Sequence, residues 1–232
     1  MNLNVTLIFF QVVVLVFAFS VHECAHAYAT YRLGDPTAFM LGRVTLNPMK
    51  QLDPWGSIVL PALSLVFGGA MVGWGKPIPV TLRNFKKIKR DDVLSTCAGL
   101  ASFLAMALVG LVGLVALKHT PGVGADAVVT AMAMVKKVPV DMTALPRLFP
   151  LALVLYYMVV TNVLLFVLNL IPVPPLDGGR IIRNYLPYNI ERAYDRIGML
   201  GSFLIFFVAG RIVFPIFYPP LINTFDALLL SL

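Results

Sequence analysis

His22, Glu23 and His26 sit within five positions, at the end of a run from Val5 to Val21 whose only polar interruptions are Thr6, Gln11 and Ser20. A helix turns by about 100° per residue, so positions 22 and 26 share a face and can offer two imidazoles to one metal ion. Glu23 lies beside them, and this is the geometry of a zinc hydrolase. Ionisable groups at membrane depth cost roughly 2.5 to 3.5 kcal/mol each for Asp, Lys or Arg, so they persist where a function holds them. A metal ion supplies that reason here.

A catalytic zinc usually takes three protein ligands and leaves a fourth position for water. His119 is the one remaining histidine, and it falls in a loop expected on the opposite face. Asp177 is the better candidate, framed by Pro172, Pro174 and Pro175 on one side and Gly178-Gly179 on the other. Irregular backbone at membrane depth is tolerated where it is buried in protein or lines a wet cavity. An Asp before Gly-Gly-Arg is also a good helix cap, and spacing alone leaves both roles open. Cys24 points away from the histidine face and, like Cys97, reads as a small packing residue.

These side chains need a membrane scaffold to hold them. Hydrophobic residues make up 59% of the chain and charged ones 12%, with a mean hydropathy of +0.87, which excludes an ordinary soluble domain. The net charge of +7 does not point to nucleic acid, because Lys and Arg gather in short segments beside apolar runs, as cytoplasmic loops do. Core helices are expected at about 4–31, 93–117 and 148–171, with a last span at about 197–213 and the prolines at 215, 219 and 220 beyond it. The first apolar stretch lacks a basic start and carries the histidine motif, so it is expected to stay in the mature protein.

Between the first helix and the next, Ala38 to Leu46 and Gly73 to Val80 read as short strands, the second confined to a sheet edge by its prolines. Segment 55–72 could span or re-enter, and basic residues on both flanks favour a membrane-dipping hairpin. The loop from Lys118 to Arg147 is placed outside, with an amphipathic piece around Ala127 to Val135, and Lys86 to Arg90 read as a topology anchor. The expected fold is therefore an all-α polytopic membrane protein: about four to six transmembrane helices, a small membrane-associated β element, and one domain covering 1–232.

His22-Glu23-Cys24-Ala25-His26, Asn169-Leu170-Ile171-Pro172 and Leu176-Asp177-Gly178 together resemble the site-2 protease family of intramembrane metalloproteases, in order and in spacing. Leu33-Gly34-Asp35-Pro36, Gly42-Arg43, Leu46-Asn47-Pro48 and Gly73-Trp74-Gly75-Lys76-Pro77 resemble its small prokaryotic branch without regulatory modules. The likeness covers most of the chain from His22 to Arg180. It implies one Zn2+ per chain held by His22, His26 and Asp177, Glu23 as catalytic acid and base, and Asn169 as a polar group near the reacting carbonyl, where it could donate to the developing oxyanion or instead satisfy backbone loosened before Pro172. One departure stands out: members often carry G-P-x-x-N on the middle core span, where this chain has Gly99-Leu100-Ala101-Ser102-Phe103. Ala25 also replaces a common glycine.

The resemblance implies regulated intramembrane proteolysis: a zinc endopeptidase that cuts membrane-protein substrates, such as a single-span helix, in or near their spans. A helix in lipid hides its carbonyls, so the substrate must be unwound, and the edge strand with Trp74, Lys76 and Ile78 is the expected substrate-binding element by β-augmentation. The expected location is the cell membrane, multi-pass, in contact with the bilayer and not with nucleic acid, with the active site nearer the cytoplasmic face. Two other functions fit parts of the sequence: a catalytically silent scaffold that binds membrane helices, and a zinc hydrolase of a lipid or small amide.

Overall fold

Long apolar runs can satisfy their backbone in lipid only as helices, and the computed structural model has that architecture. It describes residues 3–66, 71, 73–141, 144–196 and 199–232. The first helix, α1 (Leu3–Arg32), carries the histidine motif in its last three turns. One-turn helices α2 (Thr37–Met40) and α3 (Pro48–Gln51) follow, then a π-helical turn, Pro54–Val59, that passes into α4 (Leu60–Val66). Next come α5 (Ile88–Lys118), α6 (Gly124–Val135), α7 (Phe149–Asn169), α8 (Asp177–Arg183), α9 (Tyr188–Asp195) and α10 (Met199–Ser231). Among the described residues four helices are long and apolar enough to cross a membrane, in α1, α5, α7 and α10. The protein is an all-α polytopic membrane protein.

The expected β element is not formed among the described residues. Ala38 lies in helix α2, because the carboxylate of Asp35 accepts hydrogen bonds from the backbone N–H (3.1 Å) and hydroxyl (2.5 Å) of Thr37 and starts a helical turn. Gly42, at φ +64°, then reverses the chain. Gly73 to Val80 is extended but makes one isolated antiparallel bridge, Gly75 to Leu52. Pro77 and Pro79 have no N–H to donate, so a ladder cannot propagate past that bridge.

The start of the segment expected to span or re-enter lies against Trp74, two residues past its expected end. The Asp53 carboxylate caps it, accepting from the N–H groups of Trp55 (3.0 Å) and Gly56 (2.7 Å). On the return, the N–H of Trp74 donates to the carbonyl of Gly56 (3.3 Å), and the Ser57 hydroxyl donates to the carbonyl of Trp74 (2.7 Å). Residues 67–70 and 72 of this segment, and 197–198 of the expected last span, lie outside the described residues.

Helices α1, α5 and α7 pack on one another, with α10 and α6 against α7. Leu15, Ala18 and Phe19 of α1 meet Phe103 of α5 and Leu165 of α7. A larger cluster joins Leu111 and Leu114 to Leu153, Tyr156, Val128 and Ile222. Gly110 permits the close approach of α5 to α7, since a Cβ there would stand 3.0 Å from the carbonyl oxygen of Leu155. Cys97 is exposed and not packed as expected, while Cys24 is half-buried.

The prolines of the last span lie inside the helix and not beyond it: α10 runs through Pro215, Pro219 and Pro220 to Ser231. Each proline removes its own N–H and crowds the carbonyl four residues back, but lipid offers no water to compete for the remaining backbone groups, so the helix continues. Its end is also tied down. Asp226 accepts a hydrogen bond from the Tyr156 hydroxyl (3.0 Å) and pairs with Lys136 (2.6 Å), while Lys118 donates to the carbonyls of Leu229 and Leu230 (3.0 Å each).

Candidate active site

The spacing of His22 and His26 places both rings on one side of α1, with centroids 5.7 Å apart and planes at 89°. Asp177 reaches them from the far end of α7, after a turn through Pro172 to Pro175. Its Oδ1 lies 3.3 Å from Nε2 of His26 and its Oδ2 lies 3.4 Å from Nε2 of His22. Glu23 Oε1 is 4.0 Å from the same His22 nitrogen. All four side chains are buried. Asp177 is the first residue of α8, yet both carboxylate oxygens face the imidazoles.

Among the described residues no three His, Cys, Asp or Glu side chains are arranged as they stand to hold a metal ion; the Asp177 carboxylate touches both imidazoles directly. The lengths of those contacts nevertheless fit a metal. Ligand atoms about 2.05 Å from a tetrahedral zinc stand about 3.3 Å apart, the separation found here. Asp177 Oδ2, on the side facing the imidazoles, is buried without a hydrogen-bond partner, which leaves a carboxylate oxygen of the donor set free to ligate. Burial by itself would raise the Asp177 carboxyl; the two imidazoles and Arg180 outweigh it and hold the group below the ordinary carboxylate range.

The site is walled by residues that leave little space. Phe103 stacks on His22 with a centroid separation of 4.3 Å and a 10° tilt. Gly99, one helical turn earlier on α5, faces both imidazoles. The departure from G-P-x-x-N thus puts an apolar ring where the family motif has an asparagine, and that ring braces a histidine. Gly75 approaches Glu23, where a Cβ would come within 2.6 Å of Oε1.

The other expected site residues are placed differently from one another. Asn169, the last residue of α7, lines the cavity and spends one amide hydrogen on the carbonyl of Leu165 (2.9 Å). Trp74 and Ile78 line the same cavity, Ile78 being buried with Ala27 and Ala38. The exposed Lys76 side chain is not among the lining groups. Its carbonyl instead accepts from Arg43 (2.5 Å), whose guanidinium also donates to Gln51 Oε1 (3.0 Å). His119 lies at the opposite end of α5, about 30 Å from Gly99 by helical rise.

Sequence reasoning missed the roles of Arg43, Gln51, Asp92 and Arg180. Gln51, fully buried, donates to the carbonyls of Arg43 (2.8 Å) and Thr45 (2.9 Å) and so fastens the loop on which segment 73–76 rests. Asp92 pairs with Arg180, a cavity-lining residue. The available signal was an acidic pair, Asp91-Asp92, at the start of a span directly after the basic cluster 86–90, and an arginine directly after Asp177-Gly178-Gly179.

A multi-pass membrane protein with a histidine pair, a carboxylate and a neighbouring glutamate at one end of its bundle belongs among the membrane metalloproteases. The sequence pattern of Peptidase family M50 matches residues 10–209, so the chain belongs to that family, the site-2 proteases, and is a metalloprotease. It is similar to "Putative zinc metalloprotease YwhC" of Bacillus subtilis, 38% identical over 199 residues that cover 86% of this chain and 78% of that protein. It is also similar to "Putative zinc metalloprotease Rip2" of Mycolicibacterium smegmatis, 28% identical over 172 residues, 74% of this chain and 55% of that protein. This chain thus spans about half the length of the mycobacterial relative. No solved structure matches it.

Proposed function

We propose that this protein is a zinc-dependent intramembrane endopeptidase that hydrolyses peptide bonds in or near the transmembrane segments of other membrane proteins. The observation that carries the reading is the contact of one carboxylate, Asp177, with the Nε2 atoms of both His22 and His26 at a spacing suited to tetrahedral zinc. Those three side chains would hold a single zinc ion per chain. When bound, zinc lowers the pKa of its water toward about 7 and polarises the scissile carbonyl.

The remaining steps belong to the side chains. Glu23 takes a proton from the attacking water and delivers it to the leaving amine. Asn169 donates its free amide hydrogen to the oxyanion that develops on the substrate. Trp74 and Ile78, which line the cavity, contact a locally unwound substrate segment, and the apolar walls at Phe103 and Phe19 exclude bulk water from the reacting bond. The site is proposed to open toward the cytoplasm, where the basic segments 76–90 gather.

Purified protein in detergent micelles should contain close to one zinc per chain and cleave a single-span model substrate. Glu23→Gln should retain the metal and lose cleavage, whereas His26→Ala and Asp177→Ala should lose both. Wild-type protein that binds zinc but cleaves no peptide, only an ester or small amide, would replace the protease reading. A protein with neither metal nor activity would make it a helix-binding scaffold.

A further inference from the structure

Helix α5 supplies neither a histidine nor a carboxylate to the candidate zinc ligands, yet one stripe of it touches both imidazoles and holds the helix that carries the third ligand. Positions 92, 96, 99 and 103 recur at intervals of four, three and four residues and so share a helical face. Gly99 and Phe103, at the far part of the stripe, pack on the two imidazoles. Asp92, two turns earlier and buried, binds the helix that carries Asp177. Its Oδ1 accepts from Arg180, through Nε (2.9 Å) and Nη2, and its Oδ2 accepts from Asn184 Nδ2 (2.6 Å). Arg180 belongs to α8, which Asp177 begins, and Asn184 caps the end of that helix.

We infer that Asp92 is a positioning residue: through Arg180 and Asn184 it sets where the Asp177 carboxylate stands relative to His22 and His26. The inference rests on the reading of Asp177 as a zinc ligand. Both oxygens of Asp92 are engaged by two different residues of one short helix, which fixes the rotation of α8 as well as its distance from α5. Gly178 and Gly179 bring the helix against the turn after α7: a Cβ at Gly178 would meet the Leu170 carbonyl oxygen at 2.4 Å. With that turn on one side and Asp92 on the other, Asp177 has one place to stand. Outer groups of this kind commonly account for 10- to 100-fold in metal affinity, roughly.

The test is zinc affinity, measured by competition with a chromophoric chelator on the full-length protein in detergent, independently of cleavage. Asp177→Asn reports on the underlying reading and should abolish tight binding. Asp92→Asn should weaken zinc about 10- to 100-fold with helicity unchanged, and Asp92→Glu should recover part of the loss. Asp226→Asn, at the opposite end of the bundle, should leave the affinity at the wild-type value. If Asp177→Asn weakens zinc while Asp92→Asn does not, or if Asp226→Asn weakens it equally, the inference is overturned and the ligand reading stands. If Asp177→Asn itself binds zinc normally, the ligand reading fails and takes the inference with it. Should Asp92→Asn not fold, Arg180→Lys keeps the charge but loses the forked contact, and an unchanged zinc affinity in that variant overturns the inference.

Discussion

Gly99 on α5 lies so close to His22 that a Cβ at this position would stand 2.7 Å from Cε1 of that ring, and 2.9 Å from Cδ2 of His26. The absence of a side chain there is what lets two imidazoles occupy the space between α1 and α5. Gly99→Ala is expected to displace both rings, lowering zinc content and cleavage at least about 10-fold, since outer packing and bonding commonly count for that much in metal sites. Metal analysis of the purified variant, beside its circular dichroism, checks this. Full zinc occupancy with full activity would contradict it.

Gly75 bears on Glu23 in the same way but touches no expected ligand. A methyl group there would come within 2.6 Å of Oε1 and 2.8 Å of Cγ. Gly75→Ala should therefore reduce kcat about 10-fold or more by turning the carboxylate, while zinc stoichiometry stays at the wild-type value. A steady-state comparison of kcat and KM on a model substrate, with metal content measured on the same sample, distinguishes this from general damage.

Asp35 ties the turn after α1 to the chain entering α5. It accepts hydrogen bonds from Thr37, from the N–H of Thr81 (2.7 Å) and from Asn84 Nδ2 (2.8 Å). Burial pushes its carboxyl up, but these bonds together bring it below the ordinary range. A group depressed in the folded state stabilises above its unfolded pKa of about 3.9, and that contribution is lost as pH falls through the folded value. Asp35→Asn should cost about 2 kcal/mol at neutral pH. Thermal unfolding of the two proteins in detergent should converge as the pH drops below about 4.

The far end of the bundle depends on Asp226. Its contacts with Tyr156 and Lys136 join α10 to α7 and α6 where the helices leave the core. Asp226→Ala should cost about 1–3 kcal/mol, and Tyr156→Phe less, because the first leaves two partners unpaired. Detergent unfolding of the single and double variants measures the coupling; additive losses would mean that the residues act separately.

Helices α1, α5 and α7 were legible from the sequence, because lipid leaves an apolar run of twenty or more residues one way to satisfy its backbone; the last span was expected at 197–213, whereas the apolar stretch long enough to cross lies at Arg211–Ser231 and carries the prolines within it. The facing of His22 and His26 was legible too, since the period of a helix settles it locally. Local side-chain bonding overruled strand propensity where Asp35 starts helix α2, and Pro77 and Pro79 stopped the ladder at Gly75. Sequence spacing left Asp177 open between helix cap and ligand, for 151 residues separate it from His26 and nothing local brings them together. Tertiary packing made that contact: glycines let α8 settle against the turn after α7, Asp92 holds it from α5, and Gly99 leaves room for the imidazoles. A repeating period can be read along a chain, whereas the meeting of distant residues depends on how whole helices fill space.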